Sequence, residues 1–167
     1  MAMKSLILLA LALPSLAAAQ ETPPAPTCQA IDTSLPAELA AWRTPSALTG
    51  SLRPGAAVQV PLQPIGEIRM APDMPIAPHE ARDGGATTGA RLDLEIATAG
   101  TYRVALDRAI WIDLVRDGQA VRSAANGHGP ACSSIHKIVD FALSPGRYVI
   151  QLSGTTAASA RLLVIPR

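Results

Sequence analysis

Ala99-Gly100-Thr101-Tyr102-Arg103-Val104 and Pro145-Gly146-Arg147-Tyr148-Val149-Ile150 share one strand-opening pattern, and their reading decides the fold. In each, a glycine stands two residues ahead of a tyrosine, and apolar side chains then recur at every second position. The first continues Tyr102, Val104, Leu106 and the second Tyr148, Ile150, Leu152. A period of two marks a strand with one buried face. The alternation extends outward from both. Leu92, Leu94 and Ile96 oppose Arg91, Asp93 and Glu95, while Ile110, Ile112 and Leu114 oppose Trp111, Asp113 and Val115. Ile135, Val139, Phe141 and Leu143 alternate with His136 and Asp140. Val58, Val60 and Leu62 begin the series, and Leu162 and Val164 end it. Asp117-Gly118 is a hairpin signal into Gln119 to Ser123, and Ser144-Pro145-Gly146 is a second turn. Short strands separated by turn residues predict an all-β fold, an antiparallel β-sandwich or jelly roll of about seven to eight strands over residues 56–167. Tyr102, Tyr148 and Phe141 are assigned to its core. The charges Arg91, Asp93, Glu95 and Arg103 are read as solvated cross-strand pairs.

Upstream of the strands the composition changes. Lys4, the apolar run Leu6 to Leu16 and Ala17-Ala18-Ala19 form the n-region, h-region and cleavage pattern of a signal peptide over residues 1–19. The apolar run is shorter than the roughly 20 residues a spanning helix needs. Cleavage near Ala19 predicts a periplasmic or secreted chain starting at Gln20, with 148 residues and 13 basic against 13 acidic side chains. A neutral chain without a basic cluster argues against nucleic acid and anionic membrane as partners. No later apolar run is long enough to anchor it. The expectation is a monomer whose partner is an unidentified protein or small-molecule ligand.

Residues 20–55 read as an extended segment with one short helix, Ser34 to Trp42. Ser34 is its N-cap, Pro36 lies in its first turn and Glu38 near its positive end. Pro64 to Gly89, cut by four prolines and closed by Gly84-Gly85, reads as a long surface loop with a short strand around Ile65 to Met70.

Chemistry-bearing residues concentrate between the two tyrosine strands, in Asn126-Gly127-His128-Gly129-Pro130-Ala131-Cys132-Ser133-Ser134-Ile135-His136. In an oxidising compartment an even cysteine count predicts a Cys28–Cys132 disulfide, which would pin the N-terminal segment against this loop. The rival reading keeps Cys132 as a free thiolate or metal ligand. His128, Cys132 and His136 are spaced H-x3-C-x3-H, and His79-Glu80 could add donors, a set suited to copper or zinc. Gly127, Gly129 and Pro130 preclude the helix on which that spacing would align ligands. The structural alternative makes Gly-His-Gly-Pro a tight connection, with His136 exposed near Asp140. Ser133 and Ser134 lack a nucleophile elbow, and no phosphate-binding glycine loop occurs. Asp113, Asp140 and Glu95 read as solvated strand carboxylates more readily than as an acid/base pair. Trp111 is either a sugar-stacking ligand surface or a second-layer core residue beside Val115.

Two resemblances bear on this pattern. Ala-Gly-Thr-Tyr-Arg-Val, the Asp117-Gly118 hairpin and Leu-Ser-Pro-Gly-Arg-Tyr-Val-Ile-Gln-Leu resemble the bacterial pre-peptidase C-terminal domain over about Ala56 to Pro166. That resemblance implies a non-catalytic module of secreted proteins. The run from Trp111 through Gly127-His128-Gly129-Pro130-Ala131-Cys132 to Val139-Asp140-Phe141 is similar to a group of short exported bacterial proteins sometimes labelled homogentisate 1,2-dioxygenase. The label implies an iron oxygenase, whose motif of two histidines and a glutamate is not visible here. The expectation is therefore an exported, non-catalytic binding or accessory protein without a cofactor. The alternative is a copper, zinc or iron protein using His128, His136 and His79.

Overall fold

Alternation becomes two sheets. The structure is a computed structural model and describes residues 27–71 and 87–167. The expected signal peptide, most of the proline-rich leader, and the loop residues that include His79-Glu80 and Gly84-Gly85 lie outside the described residues. Among the described residues there are eleven strands: β1 (Ser46–Ala47), β2 (Ala57–Pro61), β3 (Gln63–Pro64), β4 (Thr88–Ile96), β5 (Gly100–Leu106), β6 (Trp111–Arg116), β7 (Gln119–Val121), β8 (Ser123–Gly127), β9 (Lys137–Leu143), β10 (Gly146–Thr155) and β11 (Ser159–Pro166). One sheet runs β1-β2-β11-β5-β9-β8 and the other β3-β4-β10-β6-β7. Every pairing of named strands is antiparallel except β1 with β2. The sandwich-like all-β fold is thus present. The strand number exceeds seven to eight because β1 and β3 are two-residue pairings and because the chain after Asp117-Gly118 contributes to both sheets. Asp117 and Gly118 both have positive φ, 51° and 78°, as a tight hairpin turn requires.

Inward residues of both sheets form one core, including Leu94, Val104, Leu114, Phe141, Ile150 and Leu162. The two glycine–tyrosine openings have a common physical purpose there. Tyr102 donates its hydroxyl to the Thr98 carbonyl at 2.7 Å, and Tyr148 to the Ser144 carbonyl at 2.9 Å. Each buried ring thus fastens its hydroxyl to backbone four residues upstream, the tyrosine-corner arrangement, once in each sheet.

The six-stranded sheet is buried on its outer face too. Ala57, Ala105, Ile138, Leu163 and Ile165 point away from the inter-sheet core and pack under Leu39, Trp42 and Ile135. Leu39 and Trp42 come from a short helix that differs from the expected one. It is a 3-10 helix, Ala37–Arg43, with Pro36 in the cap position and no side-chain cap. Pro36 has an extended ψ of 150°, so the helix starts after it and not at Ser34. Around Ile65 to Met70, the expected strand is instead a 3-10 turn, Ile65–Glu67, following β3.

Candidate functional site

The N-terminal segment is held onto the outer face of the six-stranded sheet by a set of polar contacts with the histidine loop. Cys28 and Cys132 form a disulfide. Beside it, Asp32 donates its backbone N–H to the Cys132 carbonyl at 2.9 Å. The Asp32 carboxylate accepts from the Ser134 backbone N–H at 2.6 Å and the Ser134 hydroxyl at 2.5 Å. Ser134 Oγ in turn accepts from Trp42 Nε1 at 2.8 Å. Arg161 lies over the Trp42 ring, 5.2 Å from its centroid, and donates to the Trp42 carbonyl at 3.1 Å. Both Asp32 and Cys132 adopt left-handed backbone, φ 63° and 57°. Asp tolerates that region better than most residues because its short side chain hydrogen-bonds locally.

Between the 3-10 helix and the loop lies a groove of about 420 Å³, lined among others by Glu38, Arg103, Asn126, His128, Asp140 and Arg167. Its floor carries a charge cluster. Asp140 in β9 stands directly opposite Arg103 in β5. It accepts from Arg103 Nε at 3.1 Å and Nη2 at 3.4 Å, and pairs with Arg167 Nη1 at 3.0 Å. The Asp140 side chain is 5 % exposed. Reading Arg103 as a solvated partner is thus corrected: the register buries its carboxylate partner beneath the groove. Of the other outer-face charges, Glu95 pairs with Arg53 at 3.5 Å, both well exposed.

His128 and His136 do come together, their rings in an edge-to-face contact with centroids 5.9 Å apart. His128 Nδ1 donates to the His136 carbonyl at 3.1 Å, which leaves Nε2 as its second ring nitrogen. The loop is tight because a Cβ at Gly129 would collide with the Ile135 backbone. Cys132, being bridged, supplies no ligand to the pair. Among the described residues, no three His, Cys, Asp or Glu side chains group so as to hold a metal ion, and His79 lies outside them.

Trp111 is on the outer face of the five-stranded sheet and 43 % exposed, whereas Val115 on the same face is buried. The second-layer core reading therefore does not describe it. Its Nε1 donates to Asp113 Oδ2 at 3.0 Å, and Lys137 Nζ lies 5.3 Å from its ring centroid. Burial lowers the Lys137 pKa below its ordinary 10.5, while Asp113 opposes that shift. Just below pH 10.5 the unfolded chain therefore holds the proton more tightly, and stability rises with pH across that window. In an NMR titration Lys137 is expected to ionise below 10.5, and lower still in Asp113→Asn. Lys4 is the only other lysine, so the signal is readily assigned. A midpoint at or above 10.5 would contradict the burial.

The Asp32–Ser134–Trp42 contacts and the Asp140 cluster have no local sequence signal, since they join residues 27 to 102 positions apart. Comparison with protein-family models, with curated proteins and with solved structures finds no match to this chain.

Proposed function

We propose that this is an exported, non-catalytic β-sandwich protein, acting in the periplasm or outside the cell as a binding or accessory module. The observation that carries the reading is how the polar groups around the histidine loop are used. Asp32, Ser134, Trp42 and Asp140 each bind a structural partner, and the disulfide ties the same segment down. A nucleophile or general base needs a neighbour placed to take or give a proton beside an open reaction site. Here the polar groups serve to fasten the chain, and open grooves remain on the outer faces. The disulfide supports an oxidising compartment. No helix among the described residues is long and apolar enough to cross a membrane.

A second reading is favoured by one contact. The Nδ1–H of His128 is fixed on a backbone carbonyl, the arrangement that orients a metal-ligating imidazole through its other nitrogen. Copper, zinc or iron would then sit by His128 and His136, with His79 as a further ligand. One preparation separates the two readings. Mass spectrometry of chain recovered from the periplasmic fraction is expected to give the product starting at Gln20, two hydrogens lighter than its reduced form. Elemental analysis is expected to find no stoichiometric metal. Metal retained on dialysis and lost in His128→Ala/His136→Ala would favour the second reading. An unprocessed chain with two free thiols would sink the exported one.

A further inference from the structure

The fold gathers three arginines from separate stretches of chain, Arg91 and Arg147 through the pairing of β4 with β10 and Arg69 from the segment after the second 3-10 turn. Arg69, Arg91 and Arg147 line a depression of about 550 Å³ on the outer face of the five-stranded sheet, together with Asp93, Val115 and Val149. The segment after the second 3-10 turn forms one wall, where the Ala71 N–H donates to Gln151 Oε1 at 2.5 Å. Among the described residues neither these three guanidinium groups nor the Asp93 carboxylate has a hydrogen-bond or ion-pair partner on its side chain. Asp117, on the rim, is paired with Arg116 at 3.5 Å. In a chain of near-zero net charge the depression is therefore a local concentration of unpaired cations.

Three features define the ligand. First, the cations are all arginine, and a guanidinium fork matches a carboxylate bidentately. Second, they are spread out. Arg91 faces Gln151 across β4 and β10, while Arg147 faces Glu95. Four residues along a strand plus one strand across place their Cα atoms about 14 Å apart. That separation suits a ligand with charges at intervals better than one small anion. Third, the floor is Val115 and Val149, with Asp93 between the arginines in the same register row. Apolar side chains accept the C–H face of a sugar ring, and a free carboxylate accepts from hydroxyl groups. Asp93 would repel a densely charged phosphate surface, so the combination fits an acidic sugar better than a phospholipid headgroup.

We propose that this depression binds an acidic oligosaccharide, with Arg69, Arg91 and Arg147 engaging its carboxylates and Asp93 its hydroxyls. The inference rests on the reading of the chain as an exported binding module. That reading fails on its own measurement, the mass and thiol state of the recovered chain, so the two failures are distinguishable.

The test titrates the purified, disulfide-bonded chain calorimetrically with trigalacturonate, its neutral methyl ester, inorganic pyrophosphate and phosphatidylglycerol vesicles. Trigalacturonate is expected to bind, more weakly as salt is raised, and the methyl ester not to bind. In Arg69→Gln/Arg91→Gln/Arg147→Gln the affinity is expected to fall at least about tenfold, with the unfolding midpoint unchanged because all three side chains are exposed. Absence of trigalacturonate binding would overturn the proposal, as would equal affinity in the variant. Binding confined to pyrophosphate or to the vesicles would overturn it in favour of a phosphate ligand.

Discussion

Asp140→Ala is expected to destabilise the protein by about 3 kcal/mol, a large part of the 5–15 kcal/mol that holds a typical domain together. The carboxylate sits on the outer face of the six-stranded sheet, 5 % exposed, between Arg103 at 3.1 Å and Arg167 at 3.0 Å. Removing it affects the two guanidinium groups unequally. Arg167, 57 % exposed, can turn to water, but Arg103 is 20 % exposed and would be left charged against its neighbours in β5 and β9. The cost arises from that uncompensated charge and not from the attraction lost. The distinction is measurable. Arg103→Met/Asp140→Leu removes both charges and extends the apolar patch formed by Ala105, Ile138 and Ile165, so it should lie within about 1 kcal/mol of the parent. Urea unfolding of the three chains decides the matter. A double variant as unstable as Asp140→Ala would mean that the charge cluster contributes net stability.

The Asp140 cluster also marks the boundary of what could be read without the structure. Its strand was visible in the alternation of Val139, Phe141 and Leu143, but its partner was not. Arg103 faces Asp140 only because β5 pairs with β9, and pairing between strands 37 residues apart has no local signature. The same holds for the cradle of Arg69, Arg91 and Arg147, which draws on three separate stretches of chain. By contrast, the glycine–tyrosine openings were legible because each is a self-contained device: the tyrosine bonds backbone four residues away. Asp117-Gly118 was legible for the same reason, since only a few residue types accept positive φ at both turn positions. Leu162-Leu163-Val164-Ile165 is a continuous apolar run, the mark of a strand buried on both faces. Read with strict alternation it yields only Leu162 and Val164. Read as a run it predicts a covering layer, and the covering layer is the 3-10 helix with Leu39 and Trp42. The short helix is legible in its place but not in its start or cap, because Ser34 is a strong cap by residue type while Pro36 sets the local backbone and the 3-10 helix begins at Ala37.

Cys28→Ser/Cys132→Ser is expected to cost more than any other change to the histidine loop, about 4–5 kcal/mol. The bond joins residues 104 positions apart, so it closes a long loop in the unfolded chain. Chain entropy makes that restriction worth about 4.7 kcal/mol for a loop of about 100 residues, in the absence of native strain. The folded state should change little. Asp32 still bonds the Cys132 carbonyl and Ser134, and Leu39 and Trp42 still cover the outer face of the sheet. The effect therefore belongs to the unfolded ensemble, and two observations should occur together. The urea midpoint should fall by about 2 M, taking a denaturant slope near 2 kcal/mol per M. The tryptophan fluorescence of the native state should remain that of the parent, since Trp42 keeps its Ser134 hydrogen bond and its buried place against the six-stranded sheet. Reducing agent added to the parent should reproduce the variant. If the midpoint fell and the native fluorescence changed with it, the bond would be holding Trp42 in place, and the polar contacts of Asp32 would be too weak to secure the N-terminal segment alone. If neither moved, the residual structure of the unfolded chain would already keep residues 28 and 132 together, and the loop-entropy account would fail for this protein.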